Sequence, residues 1–303
     1  MSHAYYTLDV FTDTPFQGVQ IAVFPNAQTI DENLLQAIAT EINLSETVFI
    51  YPAKSGAFQL RTFSVHGEID FAGHPVLAAA HVLTETGQVI LNDRNTTVTF
   101  KQNTQDLTVN ITKTDDGTCP VQFTLESNPV IDRYTPSKQE LAAILSLEES
   151  DIDHSDFQTL LVSCGLPYLV VPVTSQEVVR KARFNVDAWS RSSAPAMAAQ
   201  EIILLTTKTA SAETNFHARL LGPKIGQNED PPIGSSMPSL TGYLAWHEHL
   251  RDGTYTFTID RGSKETRRSL LYVEMDKRTG RSLTLRVEGQ SVLISKNTLL
   301  PKK

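Results

Sequence analysis

Two largely apolar helical segments, one in each half of the 303-residue chain, constrain the fold more than any other feature. The first covers residues 75–86 and the second covers about 236–250. Helices of this composition have to be buried in a domain core. Each follows a glycine-containing turn and is surrounded by short segments with strand-type patterning. The sequence therefore predicts an α+β fold with two similar domains, each a curled mixed β-sheet or barrel around a central helix.

The length of the chain also favours two domains, since single cores rarely extend far beyond about 250 residues. We place the N-terminal domain at residues 1–117 and expect strands at about 280–303 to complete it. The C-terminal domain then covers residues 118–279. The boundary falls at the polar, glycine-containing stretch 115–118.

The remaining elements are predicted from hydrophobic periodicity and from capping signals. An amphipathic helix is expected over 32–43, with Asp31 as its N-cap. A second begins at Ser137, which forms a capping-box pattern with Glu140, and covers 138–146. A third covers 175–183. Strands are expected at 4–12, 20–25, 46–52, 57–65, 88–92, 96–102, 105–113, 119–126, on both sides of 165–167, and at 201–207, 215–221, 254–260, 268–275, 282–288 and 291–296.

Composition and missing motifs exclude several function classes. The formal net charge is −8 and the isoelectric point is about 5.5, which disfavours nucleic acid or an anionic membrane as the main partner. The two cysteines, Cys119 and Cys164, form no Cys-x-x-Cys pair, and the segment 247–249 (His-Glu-His) has the wrong spacing for a zinc motif. Neither a P-loop nor a dinucleotide-binding glycine motif is present. We therefore expect a cytoplasmic protein without metal or cofactor.

The segment 43–49 contains the first candidate catalytic residue, Glu46. Apolar residues surround it in sequence, and burial among such residues favours the protonated form of a carboxyl group. A carboxyl group in that setting can both accept and return a proton near neutral pH. The alternative is that Glu46 only caps a backbone group in a turn.

The turns before the two apolar helices contain the other candidates. Gly73 and His74 precede the first helix, and Asp230, Gly234 and Ser235 precede the second. Free N–H groups at a helix start attract a carboxylate or another anion, and a histidine there could relay a proton. We expect the two helix starts to face one cleft that holds a small anionic substrate. The alternatives are a packed histidine, an N-cap serine and a loop aspartate.

Taken together, these segments resemble the phenazine-biosynthesis PhzF-like family, whose fold is that of diaminopimelate epimerase. The matching segments extend over nearly the whole chain: 8–12 with 15–18, 37–47, 61–64 with Glu68, 73–75, 229–231 with 234–235, and Arg267 with Ser269. The resemblance implies a cofactor-independent isomerase that forms a homodimer. It implies that Glu46, His74 and Asp230 are catalytic, and that Ser45, Gly73, Gly234 and Ser235 bind a small carboxylate-bearing substrate. The best-known activity of the family isomerises trans-2,3-dihydro-3-hydroxyanthranilate.

The chain departs from the family pattern near the same segments. It has Ala72 where the family often has cysteine, and Val19 where the family often has asparagine. The two cysteines that amino-acid epimerases place at the helix starts are absent. A non-catalytic protein of the same fold, which binds small anions or a protein partner, is therefore the second hypothesis.

Overall fold

The structure is a computed structural model that describes residues 2–52, 56–70, 73–91, 93–164, 166–197, 199, 201–223, 225, 232–247 and 250–300. Short strands dominate it and the helices are few, so the predicted α+β class is confirmed. The chain divides into two compact units, which are described separately below. Unit 1 contains residues 1–124, 263–271 and 286–303, and unit 2 contains residues 125–262 and 272–285.

The first 124 residues of unit 1 alternate strands with two helices. Its strands are β1 (His3–Val10), β2 (Val19–Phe24), β3 (Glu46–Pro52), β4 (Phe58–Ser64), β5 (Gly67–Ile69), β6 (Asn95–Lys101) and β7 (Asp106–Thr112). Its helices are α1 (Leu35–Ile42) and α2 (Pro75–Glu85).

Helix α2 is the centre of unit 1. Its side chains are buried around most of its circumference, with Leu77 and Leu83 completely inaccessible. It contacts β1, β2, β3 and β7 and also the last strand of the chain, so the sheet curls around it. Pro75 lies in the first turn, where the missing N–H costs nothing. The central helix expected at 75–86 is thus confirmed.

The chain continues through β8 (Val121–Ser127), β9 (Val130–Asp132), α3 (Lys138–Leu145), β10 (Leu160–Ser163), β11 (Pro167–Pro172), α4 (Gln176–Lys181), α5 (Val186–Arg191), β12 (Glu201–Thr206), β13 (Phe216–Leu221), α6 (Met237–Trp246), β14 (Gly253–Arg261), β15 (Ser269–Lys277), β16 (Leu283–Gly289) and β17 (Ser291–Leu299). Unit 2 is built around α6, whose residues from Met237 to Ala245 are all buried. Helix α6 contacts β9, β10 and β11.

The last strand belongs to the same sheet as the first. Strand β17 pairs antiparallel with β1 along its full length, from His3 opposite Leu299 to Val10 opposite Ser291. On its other side β1 pairs antiparallel with β2. The two ends of the chain are therefore joined within unit 1.

Local signals explain the helix boundaries. The capping box between Ser137 and Glu140 is present. The Asp31 side chain accepts a hydrogen bond from the N–H of Asn33, but it caps a 3₁₀ turn at Glu32–Leu34, and the helix expected over 32–43 is α-helical only from Leu35 to Ile42. The predicted strand at 88–92 is wrong for residues 88–91, which form turns and loop after α2, while Asn92 lies outside the described residues. Helix α6 ends at Trp246 because His247 has an extended backbone, so it is shorter than expected. Strands β5 and β9 and helix α5 are too short to show a periodic pattern, and the sequence did not predict them.

Candidate active site

Glu46 is placed by a sharp change of chain direction between α1 and β3. Asn43 follows the last residue of helix α1 and adopts a left-handed backbone conformation (φ 54°). Asparagine tolerates this conformation better than most residues do. Three residues later Glu46 opens β3 and lies beside Ile21 of the parallel neighbour β2. Ser45, the predicted substrate-binding residue, is exposed immediately before it.

Glu46 and His74 form a buried pair in unit 1. Their side chains meet at 2.8 Å between Oε2 of Glu46 and Nε2 of His74. Glu46 is 8% exposed and His74 is 2% exposed. Residues 28 positions apart in the sequence are thus brought together away from bulk solvent, one from the start of a strand and one from the start of the central helix. Two of the residues predicted to be catalytic therefore lie in direct contact.

The second ring nitrogen of His74 is also buried. Nδ1 has no hydrogen-bond partner among the described residues. Buried polar atoms in native proteins are almost always hydrogen-bonded. Nδ1 of His74 is thus an exception to this rule among the described residues, while Nε2 contacts Glu46.

The start of α2 is packed too tightly for a side chain at Gly73. A Cβ atom there would lie 2.7 Å from the Cζ atom of the Phe123 ring. On the other side, the His74 ring faces Phe11 at a centroid distance of 6.2 Å. Two aromatic rings thus fix the position of the Gly73–His74 turn and shield it from water.

The backbone of this turn already uses two of its amide groups. The N–H of Val76 donates to the Gly73 carbonyl at 3.3 Å and the N–H of Leu77 donates to the His74 carbonyl at 3.1 Å. An anion at this helix start would have to bind ahead of these two groups. The expectation that the helix start binds an anion stays a prediction.

In unit 2, the turn before α6 contains Gly234 and Ser235. Residues Gly234–Ser236 form one turn of 3₁₀ helix, in which Gly234 and Ser236 are buried and Ser235 is exposed. The Ser236 hydroxyl donates to the Ile233 carbonyl at 2.8 Å, which closes the turn. Burial, followed by the charge of Glu201, raises the pKa of Tyr168 in β11 to about 12, and Ser235 partly offsets this. Asp230 lies outside the described residues, together with its neighbours 226–231.

Arg267, one of the residues in the family resemblance, binds the end of β1 and the loop that follows it in unit 1. The Arg267 guanidinium binds the carboxylate of Asp9 and donates to the carbonyls of Gln17 (3.0 Å) and Gly18 (3.1 Å). Asp9 is 2% exposed, and its other oxygen accepts from the N–H of Phe16 at 2.7 Å. Burial raises the pKa of Asp9, and the Phe16 N–H and Arg267 partly offset this. Arg267 thus holds together the turn that carries Phe11.

The side chains of Cys164 and His247 are packed against neighbouring residues of unit 2. The Cys164 thiol donates to the Pro238 carbonyl at 3.3 Å, and burial raises the pKa of this thiol. His247 packs against the rings of Phe157, Tyr243 and Trp246. In the part of the chain that the structure describes, no three histidine, cysteine or carboxylate side chains cluster in a way that could hold a metal ion. None of the described helices is long and apolar enough to cross a bilayer.

The sequence did not single out Tyr168 and Glu201 of unit 2. They are register neighbours on the parallel strands β11 and β12. The signal that could have found them is the repetition of the unit 1 strand pattern in unit 2, which places a glutamate at the start of both β3 and β12.

Solved structures of other proteins share the fold of this chain. A probable proline racemase from Agrobacterium radiobacter shares the fold with a TM-score of 0.66 and 11% identity, covering 99% of this chain and 93% of that one. A phenazine biosynthesis protein of the PhzF family from Bacillus anthracis superposes with a TM-score of 0.86 and 21% identity, covering 99% of this chain and all of that one. At these identities the comparisons establish the fold alone. The fold is shared by this probable proline racemase and this PhzF-family protein, which agrees with the predicted epimerase-like fold.

The sequence comparisons then identify the family. Residues 8–297 match the profile of the PhzC-PhzF family, described as phenazine biosynthesis-like protein, and the chain belongs to this family. An uncharacterized isomerase from Mesorhizobium japonicum is 28% identical over 97% of this chain and 98% of its own length. The trans-2,3-dihydro-3-hydroxyanthranilate isomerase of Pseudomonas chlororaphis is 26% identical over 98% of this chain and 99% of its own length.

Proposed function

We propose that the protein is a cofactor-independent isomerase in which Glu46 transfers a proton on a small carboxylate-bearing substrate. The observation that carries the proposal is the buried contact of 2.8 Å between Glu46 and His74. The chain belongs to a family whose members include named isomerases, and this supports the reaction class. The substrate class rests on the resemblance and on the chemistry of an anthranilate-type molecule, which carries a carboxylate.

In the proposed reaction, Glu46 acts first as a base and then as an acid. Its carboxylate takes a proton from one substrate carbon, and the electron pair of that C–H bond forms a new double bond to the neighbouring carbon, while the π pair of the existing double bond moves to the far carbon. The carboxylic acid then returns the proton to a second carbon, which restores the carboxylate. No proton is gained or lost overall, so one positioned group is sufficient, and such groups contribute about 10²–10⁴-fold to rate.

His74 would position Glu46 and choose which oxygen reacts. In the proposed arrangement the ring proton of His74 lies on Nε2 and is donated to Oε2, which leaves Oε1 for the substrate proton. Within the described residues, no hydrogen bond reaches Oε1. Since both side chains are buried, neither needs to shed much water before the proton moves.

The experiment is proton exchange in heavy water. Candidate carboxylates related to dihydro-hydroxyanthranilate are incubated with the protein in D₂O, and deuterium at substrate carbon is followed by NMR. Glu46→Gln is expected to lower the exchange rate by at least about 10²-fold while ligand binding persists. Glu41→Gln changes an exposed glutamate on the neighbouring helix α1 and is the matched control.

Two outcomes would contradict the proposal. Full exchange in Glu46→Gln would remove Glu46 from the mechanism. Ligand-induced thermal stabilisation without exchange by any candidate would instead favour the second hypothesis, a small-anion binder of the same fold.

A further inference from the structure

The backbone at Phe11 has a conformation that is rare for a bulky residue. Phe11 follows the last residue of β1 and has a φ of 62°, in the left-handed region that large side chains seldom adopt. Its side chain is 1% exposed, so this is no solvent-facing turn. Strained residues of this kind persist only where their surroundings hold them, and they cluster at functional sites. The contacts of Phe11 therefore indicate a role beyond filling the core.

Two backbone hydrogen bonds hold Phe11 in the left-handed conformation. Its N–H donates to the carbonyl of Gln290, and its own carbonyl accepts from the N–H of Leu270, both at 2.8 Å. Leu270 lies in β15, and Gln290 lies between β16 and β17. All three residues belong to unit 1. The late segments of the chain thus fix the conformation of a residue near its start.

The strain extends through the hydrogen-bonded network around Phe11. Phe16 and Arg267 are also left-handed, with φ of 68° and 60°. Both bind the buried carboxylate of Asp9, two residues before Phe11, as described above. Among the described non-glycine residues with a positive φ, only Ser146 lies in unit 2. The strained positions of the described chain are therefore concentrated in the unit that holds the Glu46–His74 pair.

The ring of Phe11 has no free space on the side of Gly289. A Cβ atom at Gly289, the last residue of β16, would overlap with Cδ1 of Phe11 and lie 2.9 Å from Cε1. The same Cβ would lie 3.0 Å from Cδ2 of Leu77 in α2. The ring also faces the imidazole of His74, with an angle of 38° between the two planes. Gly289 thus lets β16 pack directly on the ring that contacts His74.

The imidazole of His74 is hydrogen-bonded at one nitrogen only. Nε2 contacts Glu46 at 2.8 Å, and Nδ1 has no partner among the described residues. A histidine that supports a reacting group is usually oriented by a hydrogen bond at its second nitrogen. With one hydrogen bond the ring can still turn about it, so packing has to fix the plane of the imidazole in this protein. The ring that faces it is that of Phe11.

We propose that Phe11 is a positioning residue of the reaction, which orients His74 in place of a hydrogen bond at Nδ1. The strained backbone holds the phenyl ring against the imidazole, and the imidazole holds Oε2 of Glu46. Oε1 of Glu46 then keeps one direction toward the substrate carbon. The inference rests on the proposed function, because it explains how the proton-transferring carboxylate is aimed.

The test observes the imidazole of His74 directly, without a substrate. The full-length protein is labelled with ¹⁵N-histidine, and long-range ¹H–¹⁵N NMR shows which ring nitrogen carries the proton. The His74 signals are assigned by their loss in His74→Asn. In the wild-type protein His74 is expected to show a single tautomer with the proton on Nε2. In Phe11→Leu the ring loses its aromatic neighbour, so both tautomers should be populated and the two ¹⁵N shifts should move toward each other.

Deuterium exchange measures the consequence for the reaction. Phe11→Leu should lower the exchange rate by at least about tenfold, since a misplacement of about 1 Å can cost about 100-fold. Phe100→Leu is the matched control, because it makes the same change at another completely buried ring of unit 1. It should destabilise the protein to a similar extent but leave the His74 tautomer unchanged.

Gly289→Ala tests the same contact without changing Phe11. The added methyl group would displace the ring, so it should also disturb the His74 signals, and it keeps the proposal testable if Phe11→Leu does not fold. Phe11→Leu combined with Gly289→Ala should recover the single tautomer, because the methyl group occupies space that the smaller side chain leaves.

Two results would overturn the role of Phe11. One is a His74 spectrum that is the same in Phe11→Leu as in the wild-type protein, whatever the change in stability. The other is an equal change in Phe100→Leu, which would show a general effect of core destabilisation. Failure of the proposed function would be seen separately, as full exchange in Glu46→Gln, and it would leave the NMR result on His74 unchanged.

Discussion

Gly73→Ala is the substitution whose cost can be worked most directly from the structure. The added Cβ would lie 2.7 Å from Cζ and 3.1 Å from Cε2 of Phe123, a ring that is completely buried. Favourable carbon contacts begin at about 3.5 Å, so the overlap is nearly 1 Å. Phe123 has no room to retreat, and overpacking of a filled core typically costs about 1–3 kcal/mol. We expect the free energy of unfolding to fall by about 2 kcal/mol.

The same substitution should reduce activity more than stability alone explains. Relief of the contact requires the Gly73–His74 turn to move away from Phe123, and His74 would then shift relative to Glu46. A misplacement of about 1 Å can cost about 100-fold in rate. Urea denaturation followed by circular dichroism gives the stability, and the deuterium exchange assay gives the activity.

A double-mutant cycle identifies the cause. Phe123→Leu removes the ring atoms that the new methyl group would meet and is expected to cost about 1 kcal/mol by itself. Gly73→Ala combined with Phe123→Leu should be more stable than the sum of the single effects predicts. Gly67→Ala, where a Cβ meets nothing within 4 Å, is the matched control and should be nearly neutral. Gly73→Ala with wild-type stability, or costs that simply add, would refute the reasoning.

Three further predictions follow from contacts outside this turn. Arg267→Ala should lower the free energy of unfolding by about 3 kcal/mol at neutral pH, because it leaves Asp9 buried without its cation. Burial raises the pKa of Asp9, so ionisation of this carboxyl group opposes folding as the pH rises. The loss of stability caused by Arg267→Ala should therefore shrink as the pH falls toward about 4. A loss that does not depend on pH, measured by urea titration, would contradict this. In the Cys119→Ser background, Cys164 should react with iodoacetamide at pH 8 more slowly than free cysteine does, because burial raises the pKa of its thiol. The rate should fall by about tenfold for each pH unit by which the pKa is raised. A rate equal to that of free cysteine would be inconsistent with the burial of Cys164. Ser137→Ala should cost about 1 kcal/mol by breaking its capping box, as measured by urea denaturation, and an unchanged midpoint would show that the box contributes nothing.

The sequence predicted the parts of the fold that depend on pattern and composition. The apolar segment at 75–86 could only be a buried helix, and it is the central helix of unit 1. The contact between Glu46 and His74 could not be derived from local pattern, because it depends on the position of β3 relative to α2. Sequence reasoning brought the two residues together only through family resemblance.

The features that sequence reasoning missed depend on register. Glu201 is an ordinary residue at the start of an apolar strand, and its equivalence to Glu46 appears only when the strand pairings are known. Strand β5 is three residues long and follows a turn, so it shows no alternation that a periodicity argument could detect.

The pairing of β1 with β17 has a consequence for biosynthesis. The residues that complete the sheet of unit 1 leave the ribosome long after the first strand, because Thr7 of β1 and Ser295 of β17 are 288 positions apart in the sequence. Newly made N-terminal segments usually begin to fold while translation continues. In this chain the first strand has to wait for the synthesis of β17 to gain its second neighbour, and until then its free edge is open to chaperones or to pairing with another nascent chain.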